Sequence, residues 1–485
     1  VSKNDTSWYD YSEKKWANVV LVNDSSRTSY LNTTGVTVNE DDILAYYVWI
    51  PRYKYKIWTT TNSSAGKEQE IEIVFENKND IAYVPNVNMY ASCASLENPT
   101  EDDYPDCYGA PYSVTAEEKQ KLITWFHSFI SAKMNTSYTL EQATTDVNNV
   151  LNTGSSIVQG VEDAGPIPIE AMINMYNGDE NNTEQITPTG TFIETNKINY
   201  IGAVPQIGDY ITHPAFWWDN NSDGVLEQSE ILNGIWIGKF ETTGTANTPI
   251  IKGNKNSLVK QNVSTQFVTA QKFGTSIYGS TSKVDAHMMK NSEWGAVAYL
   301  SHSKYGVNGE IRINNYQKFG DLFLTGCGAN TENESRSTTC EIVYGKATEY
   351  PQSTTGNITG VFDMSGGAWE YTMGYYSGAS TTWGAASNAN YAGFSNKPAS
   401  KYFDDYTTIN PLTACNGGIC YGHALSETAN WYDDDFPPYI AAGAPWIAKG
   451  AAASYGSETG VFSSGPASGA SFASFSFRSV ISYVG

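Results

Sequence analysis

Two short runs near the N-terminus alternate apolar and polar side chains with a period of two. They are Tyr53-Lys54-Tyr55-Lys56-Ile57-Trp58 and Glu70-Ile71-Glu72-Ile73-Val74-Phe75. Such a run buries one face only, so it demands a sheet with a covered side. Just before them, Ala45-Tyr46-Tyr47-Val48-Trp49-Ile50 stops at Pro51, which cannot donate to a sheet ladder. Residues 1–80 therefore read as β-rich. The period then changes. Ser113 or Thr115 can cap a helix over 116–134, with Glu117 and Glu118 in its first turn. Leu122, Ile123, Trp125, Phe126, Phe129 and Ile130 give that helix a broad apolar face. A second helix is expected over 140–151. Residues 152–205 are rich in Gly, Pro, Asn and Thr. Beyond 206, strands and turns dominate, with one short amphipathic helix over 291–301. The expected class is α+β: a β-rich body, 1–80 with 206–485, interrupted by a partly helical insertion at 81–205. No repeat of solenoid length is present.

Charge narrows the function classes. The chain carries 51 Asp plus Glu against 29 Lys plus Arg, a net charge of -22, so nucleic-acid phosphates and anionic membrane surfaces would repel it. Aromatic residues, at 13%, are too many for a disordered chain. No stretch approaches the roughly 20 apolar residues of a membrane span. The opening residues, Val1-Ser2-Lys3-Asn4-Asp5, carry neither a signal peptide nor an apolar anchor, so the expectation is that either the chain begins after processing or a leader was removed. The six cysteines, Cys93, Cys107, Cys327, Cys340, Cys415 and Cys420, make no C-x-x-C pair of the kind zinc needs. They read as three local couples, loop staples in an oxidising, extracellular or cell-surface setting, although spacing alone leaves their pairing open.

One loop has metal-ligand spacing. Asp219, Asn221, Asp223, Val225, Glu227 and Glu230 occupy positions 1, 3, 5, 7, 9 and 12 of a twelve-residue EF-hand-type loop, with Gly224 at the sharp turn. The Asp and Asn side chains converge, Val225 offers a carbonyl, Glu227 binds through water, and Glu230 closes the shell with two oxygens. An all-oxygen set selects Ca²⁺. Trp217-Trp218 before the loop looks like strand, so a single stiffening loop is expected and not a paired sensor.

Four separated segments carry a resemblance. They are Ile235-Trp236-Ile237-Gly238-Lys239-Phe240-Glu241, then Glu293-Trp294-Gly295-Ala296-Val297-Ala298-Tyr299, then Gly360 through Glu370 with its D-M-S-G-x-x-W-E core, and Phe477-Arg478. In this order they resemble the signature of the formylglycine-generating enzyme family, which has a C-type-lectin-like fold, over about 206–485. In that family two cysteines follow a strand of the type R-G-G-S-W. Here the matching strand looks like 445–450, no cysteine follows it, and Cys415/Cys420 precedes it. The catalytic chemistry is therefore not expected. The five histidines, His127, His213, His287, His302 and His423, are scattered. No H-E-x-x-H, G-x-S-x-G or phosphate-cradling loop appears. The chain is expected not to be an enzyme.

The C-terminal pattern resembles a non-catalytic branch of that fold more closely, the variable proteins of diversity-generating retroelements. There a fixed scaffold displays a ligand-binding face, and the chain ends in a strand like F-R-x-V, matched here by Phe477-Arg478-Ser479-Val480. Of the 27 residues in 450–476, 19 are Gly, Ala or Ser. The N-N-C codons produced by that family's adenine mutagenesis encode every residue of the segment except Glu458. The resemblance implies ligand contacts from Ala448, Ala452, Ala453, Tyr455, Ser457, Ser463, Pro466, Ala467, Ser471, Phe472, Ala473 and Ser474. The expectation is a secreted or surface-displayed bacterial ligand-binding, adhesin-like protein that meets a protein or glycan. The competing expectation is a self-assembling subunit of an extracellular filament, pilus or surface layer.

Overall fold

The computed structural model describes residues 8–57, 68–77, 88–92, 114–153, 155–161, 166–187, 197–200, 210–220, 225–226, 230–330, 336–376, 392–406, 420–434 and 443–484. The architecture is α+β. The chain divides into two compact units: one holds 1–87, 203–224 and 229–485, the other 88–202 with 225–228.

The larger unit is organised by two five-stranded sheets. The first is antiparallel throughout, in the order Asn18–Val22, Ile43–Pro51, Gly234–Gly238, Ser479–Tyr483 and Val284–Met288. Strands from both ends of the chain lie in this one sheet, so 1–80 and 206–485 share a core. Ile43–Pro51 is mostly buried because it is paired on both sides, and the Pro sits at its end. Next to it, Tyr53–Lys56 alternates as its sequence dictates: Tyr53 and Tyr55 are buried, while Lys54 and Lys56 are only half-buried. It pairs with Glu72–Phe75 and Ile211–Thr212. The second sheet is built on Trp369–Tyr376. Asp404–Tyr406, Trp446–Lys449 and Phe475–Phe477 pair with that strand, and Ser464–Ala467 pairs with Trp446–Lys449.

The helix Asn291–Ser301 lies where the sequence places it, but it is not amphipathic. All of its residues are buried, so it is a core helix. Several of its polar side chains are paired inside the fold. Glu293 accepts from the Lys290 backbone N–H at 2.7 Å and meets His287 Nε2 at 2.8 Å. The Trp294 indole donates to Val461 O at 2.8 Å, and the Tyr299 hydroxyl to Glu427 at 2.9 Å. Gly295 is required by contact: a Cβ there would stand 1.9 Å from Gly422 O. Two further helices in this unit, Asp24–Asn32 and Val263–Gln271, had no expectation attached to them; Asn23 and Asn262 cap them.

The smaller unit packs Ala116–Lys133, Leu140–Thr153 and Ile169–Asn177 around Leu122, Phe126, Ile130, Val147, Met172 and Tyr176. Of the two candidate caps, Thr115 is used: its hydroxyl accepts from Glu118 N at 3.2 Å, and Glu118 accepts from Thr115 N at 2.7 Å. Asn88–Ser92, Lys197–Tyr200 and Val225–Leu226 form a small sheet there. Among the described residues, no helix is long and apolar enough to cross a membrane.

Candidate functional site

Three of the four signature segments, 235–241, 360–370 and 477–478, meet at Arg478. The Ser479–Tyr483 strand belongs to the first sheet and Phe475–Phe477 to the second, so Arg478 sits where the chain passes between them. It is fully buried. Its Nη1 donates to Gly238 O at 2.8 Å and its Nη2 to Phe362 O at 3.0 Å. Nε donates to Glu370 Oε2 at 3.1 Å, and Nη2 to Glu370 Oε1, giving a two-pronged ion pair. Two more buried carboxyls flank this pair. Asp363 Oδ1 accepts from Gly326 N at 2.7 Å and from the Asn314 side chain at 2.8 Å. Glu241 Oε1 accepts from Ala368 N at 3.0 Å.

Three carboxyls around one guanidinium cannot all ionise away from water. Burial, then the charges of Glu370 and Asp363, holds the Glu241 carboxyl far above the ordinary range, so it keeps its proton. Burial pushes Glu370 up to about 7 against the pull of Arg478. Burial also raises Asp363. The network is buried throughout and ties Gly238, Phe362 and Glu370 to Arg478 where the chain passes between the two sheets. Three of the four signature segments are thus engaged in this buried network.

The predicted calcium loop is described at its ends. Asp219 and Glu230 are both buried at its neck. Trp218 N donates to Glu230 O at 2.9 Å, and Asn220 N to Glu230 Oε1 at 3.0 Å. Ser400 Oγ donates to Asp219 Oδ2 at 3.2 Å. Val225 lies in the short strand Val225–Leu226. Asn221, Asp223 and Glu227 lie outside the described residues. Among the described residues, no group of three or more His, Cys, Asp or Glu is placed to hold a metal.

Cys327 and Cys340 form a disulfide. Cys420 is disulfide-bonded as well; Cys93, Cys107 and Cys415 lie outside the described residues. The histidines have structural partners. His213 Nδ1 accepts from Ala215 N at 3.2 Å, and His423 Nδ1 lies 2.7 Å from the Tyr406 hydroxyl. His127 Nε2 lies 3.1 Å from Tyr138 O, and His302 Nδ1 2.9 Å from Ser301 Oγ. His287, fully buried, is bracketed by Glu293 at 2.8 Å and Asp285 at 3.3 Å. Burial alone would lower its pKa, but the two carboxylates outweigh burial and hold it up to about 9. Nothing in the spacing of those residues announced this triad.

The twelve candidate ligand contacts separate by exposure. Ala448, Ala452, Ala453, Ser463 and Ala467 are buried, three of them within the apolar cluster under the second sheet. Ser463 Oγ is spent on Glu458 O at 2.7 Å. These five expose little or no surface in this structure. Tyr455, Ser457, Pro466, Ser471 and Phe472 are exposed, and Ala473 and Ser474 are half-buried. Tyr455 and Phe472 are 46% and 41% exposed, although both are large rings. Trp369 joins them to the sheet: Tyr455 meets its edge at 5.4 Å, and Phe475 stacks on it at 6.2 Å. Phe475 also touches Phe472 at 5.3 Å and Tyr371 at 4.6 Å. The result is an aromatic ridge with a buried root and exposed crests.

No protein-family model matches the chain, and no curated protein matches it in sequence.

Proposed function

We propose that the chain is a secreted or surface-displayed, adhesin-like ligand-binding protein of bacterial origin with a C-type-lectin-like body, and that its recognition face is the C-terminal aromatic ridge. The observation that carries this reading is the division of labour around the second sheet. The residues around Arg478 are spent on an enclosed network, while Tyr455 and Phe472, outside the strands but packed against Trp369 and Phe475 of the second sheet, are exposed to solvent. Large rings on a fixed base give contact area at little cost in side-chain entropy, which suits recognition of a protein or glycan surface. The face is non-catalytic in this reading: the ridge offers rings, hydroxyls and small side chains, and no acid–base pair. A Ca²⁺ ion held by the 219–230 loop would stiffen the body beside Trp218 and take no part in ligand contact.

The test is sequencing codons 446–481 from related strains. Substitutions concentrated at Tyr455, Ser457, Pro466, Ser471 and Phe472, with a reverse transcriptase and a template repeat nearby, would support a diversified face. Invariant codons there would sink the diversified-face reading. For the metal, a chelator that leaves the melting temperature unchanged would remove Ca²⁺ from the proposal.

A further inference from the structure

The helical unit carries an open groove of about 570 Å³, within the size range of small-ligand sites. Its floor is the Trp125 indole. That ring is fixed on three sides: Phe129 stacks on it at 5.2 Å, Tyr176 meets it edge-on at 5.5 Å, and its Nε1–H donates to Asp179 Oδ2 at 2.9 Å. The other Asp179 oxygen accepts from the backbone and side chain of Asn181, at 3.0 and 2.9 Å. Asp179 is therefore committed to building the wall.

The remaining charges are committed too. Lys121 pairs with Glu117 at 3.0 Å and with Glu184. Carboxylates outnumber that one cation, so the groove disfavours phosphate, sulfate or carboxylate ligands. What stays available is neutral. Among the described residues, the exposed Gln120 side chain makes no hydrogen bond. Thr124 and Ser128 donate their hydroxyl protons to Gln120 O and Thr124 O, at 2.9 and 3.1 Å, which leaves their lone pairs to accept. Gln120, Thr124 and Ser128 form one row along the helix, four residues apart, beside the row that ends in Trp125.

We propose that this groove binds a neutral saccharide. A sugar ring presents an apolar C–H face that fits a fixed indole. Its rim of hydroxyls both donates and accepts, which matches a row of one uncommitted amide and two acceptor hydroxyls. An apolar ligand would leave that row unpaired, and an anion would meet the carboxylates.

The experiment uses the full chain on an array of neutral, sialylated and sulfated glycans, followed by calorimetric titration of the best neutral oligosaccharide. Binding to neutral glycans is expected, with a loss of about tenfold or more in Trp125→Ala. Trp125 helps to pack the helix, so Gln120→Ala and Asn181→Ala are the second arm. Gln120→Ala should weaken binding several-fold with no change in melting temperature, and Asn181→Ala should weaken it as well. Tyr455→Ala and Phe472→Ala should leave it untouched, which separates this site from the C-terminal ridge. No binding of neutral glycans at 10 mM, selection of anionic glycans, or affinity lost only with Tyr455 and Phe472 would each overturn the proposal.

Discussion

Arg478 and Phe472 are close neighbours in the chain, yet they obey opposite rules. Arg478 is fully buried, and its donors reach two backbone carbonyls and a carboxylate. Phe472 is 41% exposed and touches the body through one ring, Phe475. Around Arg478 the polar groups are out of water, and the guanidinium finds partners for its donors, so the residues it reaches are dictated by it. Around Phe472 the backbone is held and the side chain is not. The Phe472 carbonyl accepts from Lys260 N at 2.9 Å, an interaction that any residue at 472 could supply. The side chains around Arg478 fix the sheets, whereas position 472 is held by its backbone and one ring contact.

The sharpest way to break the comparison is to remove Arg478. Arg478→Ala takes away the partner of Glu370 and leaves Gly238 O and Phe362 O without their donor. The expected loss is about 3–5 kcal/mol of stability, read by urea denaturation. The loss should be larger at pH 8 than at pH 5.5, because at low pH the abandoned carboxyls can take up protons. A loss below about 1 kcal/mol would mean that the network does not hold the sheets together.

His287 should cost somewhat less, with a pH signature. Its pKa is raised from 6.5 to about 9 in the folded chain. A raised base contributes stability that is complete below 6.5 and disappears as pH climbs through about 9. His287→Gln should therefore lose on the order of 3 kcal/mol at pH 6 and progressively less toward pH 9. A pH-independent difference would show that the imidazole is neutral between Asp285 and Glu293.

Gly469 probes the root of the ridge. Its φ is +80°, and a Cβ there would stand 2.7 Å from the Trp446 ring. Gly469→Ala should cost about 1–3 kcal/mol through crowding and backbone strain. This glycine belongs to the Gly/Ala/Ser-rich tail, so the experiment tests whether the small residues of that tail are seats for rings or loose filler.

These contrasts also explain what was legible in the sequence. The helix Ala116–Lys133 could be read because Thr115, Glu118 and a 3.6-residue apolar period agree. Val263–Gln271 could not: Val, Ser and Thr there favour extended chain, and only the Asn262 cap, accepting from Thr265 N at 3.0 Å, announces a helix. Asn291–Ser301 was legible as a helix and illegible as a core element, because the partner of Glu293 is His287, which no local period reveals. Ala448 and Ala473 look alike as letters, yet one is buried within the second sheet and the other is half-buried. Small residues carry no sign of which way they face; that depends on where Trp369 and Trp446 place their rings.

The smallest effect on stability should come from the crests. Phe472→Ala and Tyr455→Ala delete rings that are nearly half in water, and each leaves the ring it packs on, half-buried Phe475 or buried Trp369, in place. Each should change stability by no more than about 0.5 kcal/mol. If the ridge is the recognition face, the same two substitutions should abolish capture of the chain by its target cells, measured by flow cytometry with labelled protein, while the Arg478 network stays intact. A loss of 2 kcal/mol or more at either position would place that ring among the residues that hold the fold, since only a side chain packed like those of the core carries a cost of that size. The boundary between scaffold and display surface would then have to be drawn further out, at Ser457, Pro466 and Ser471.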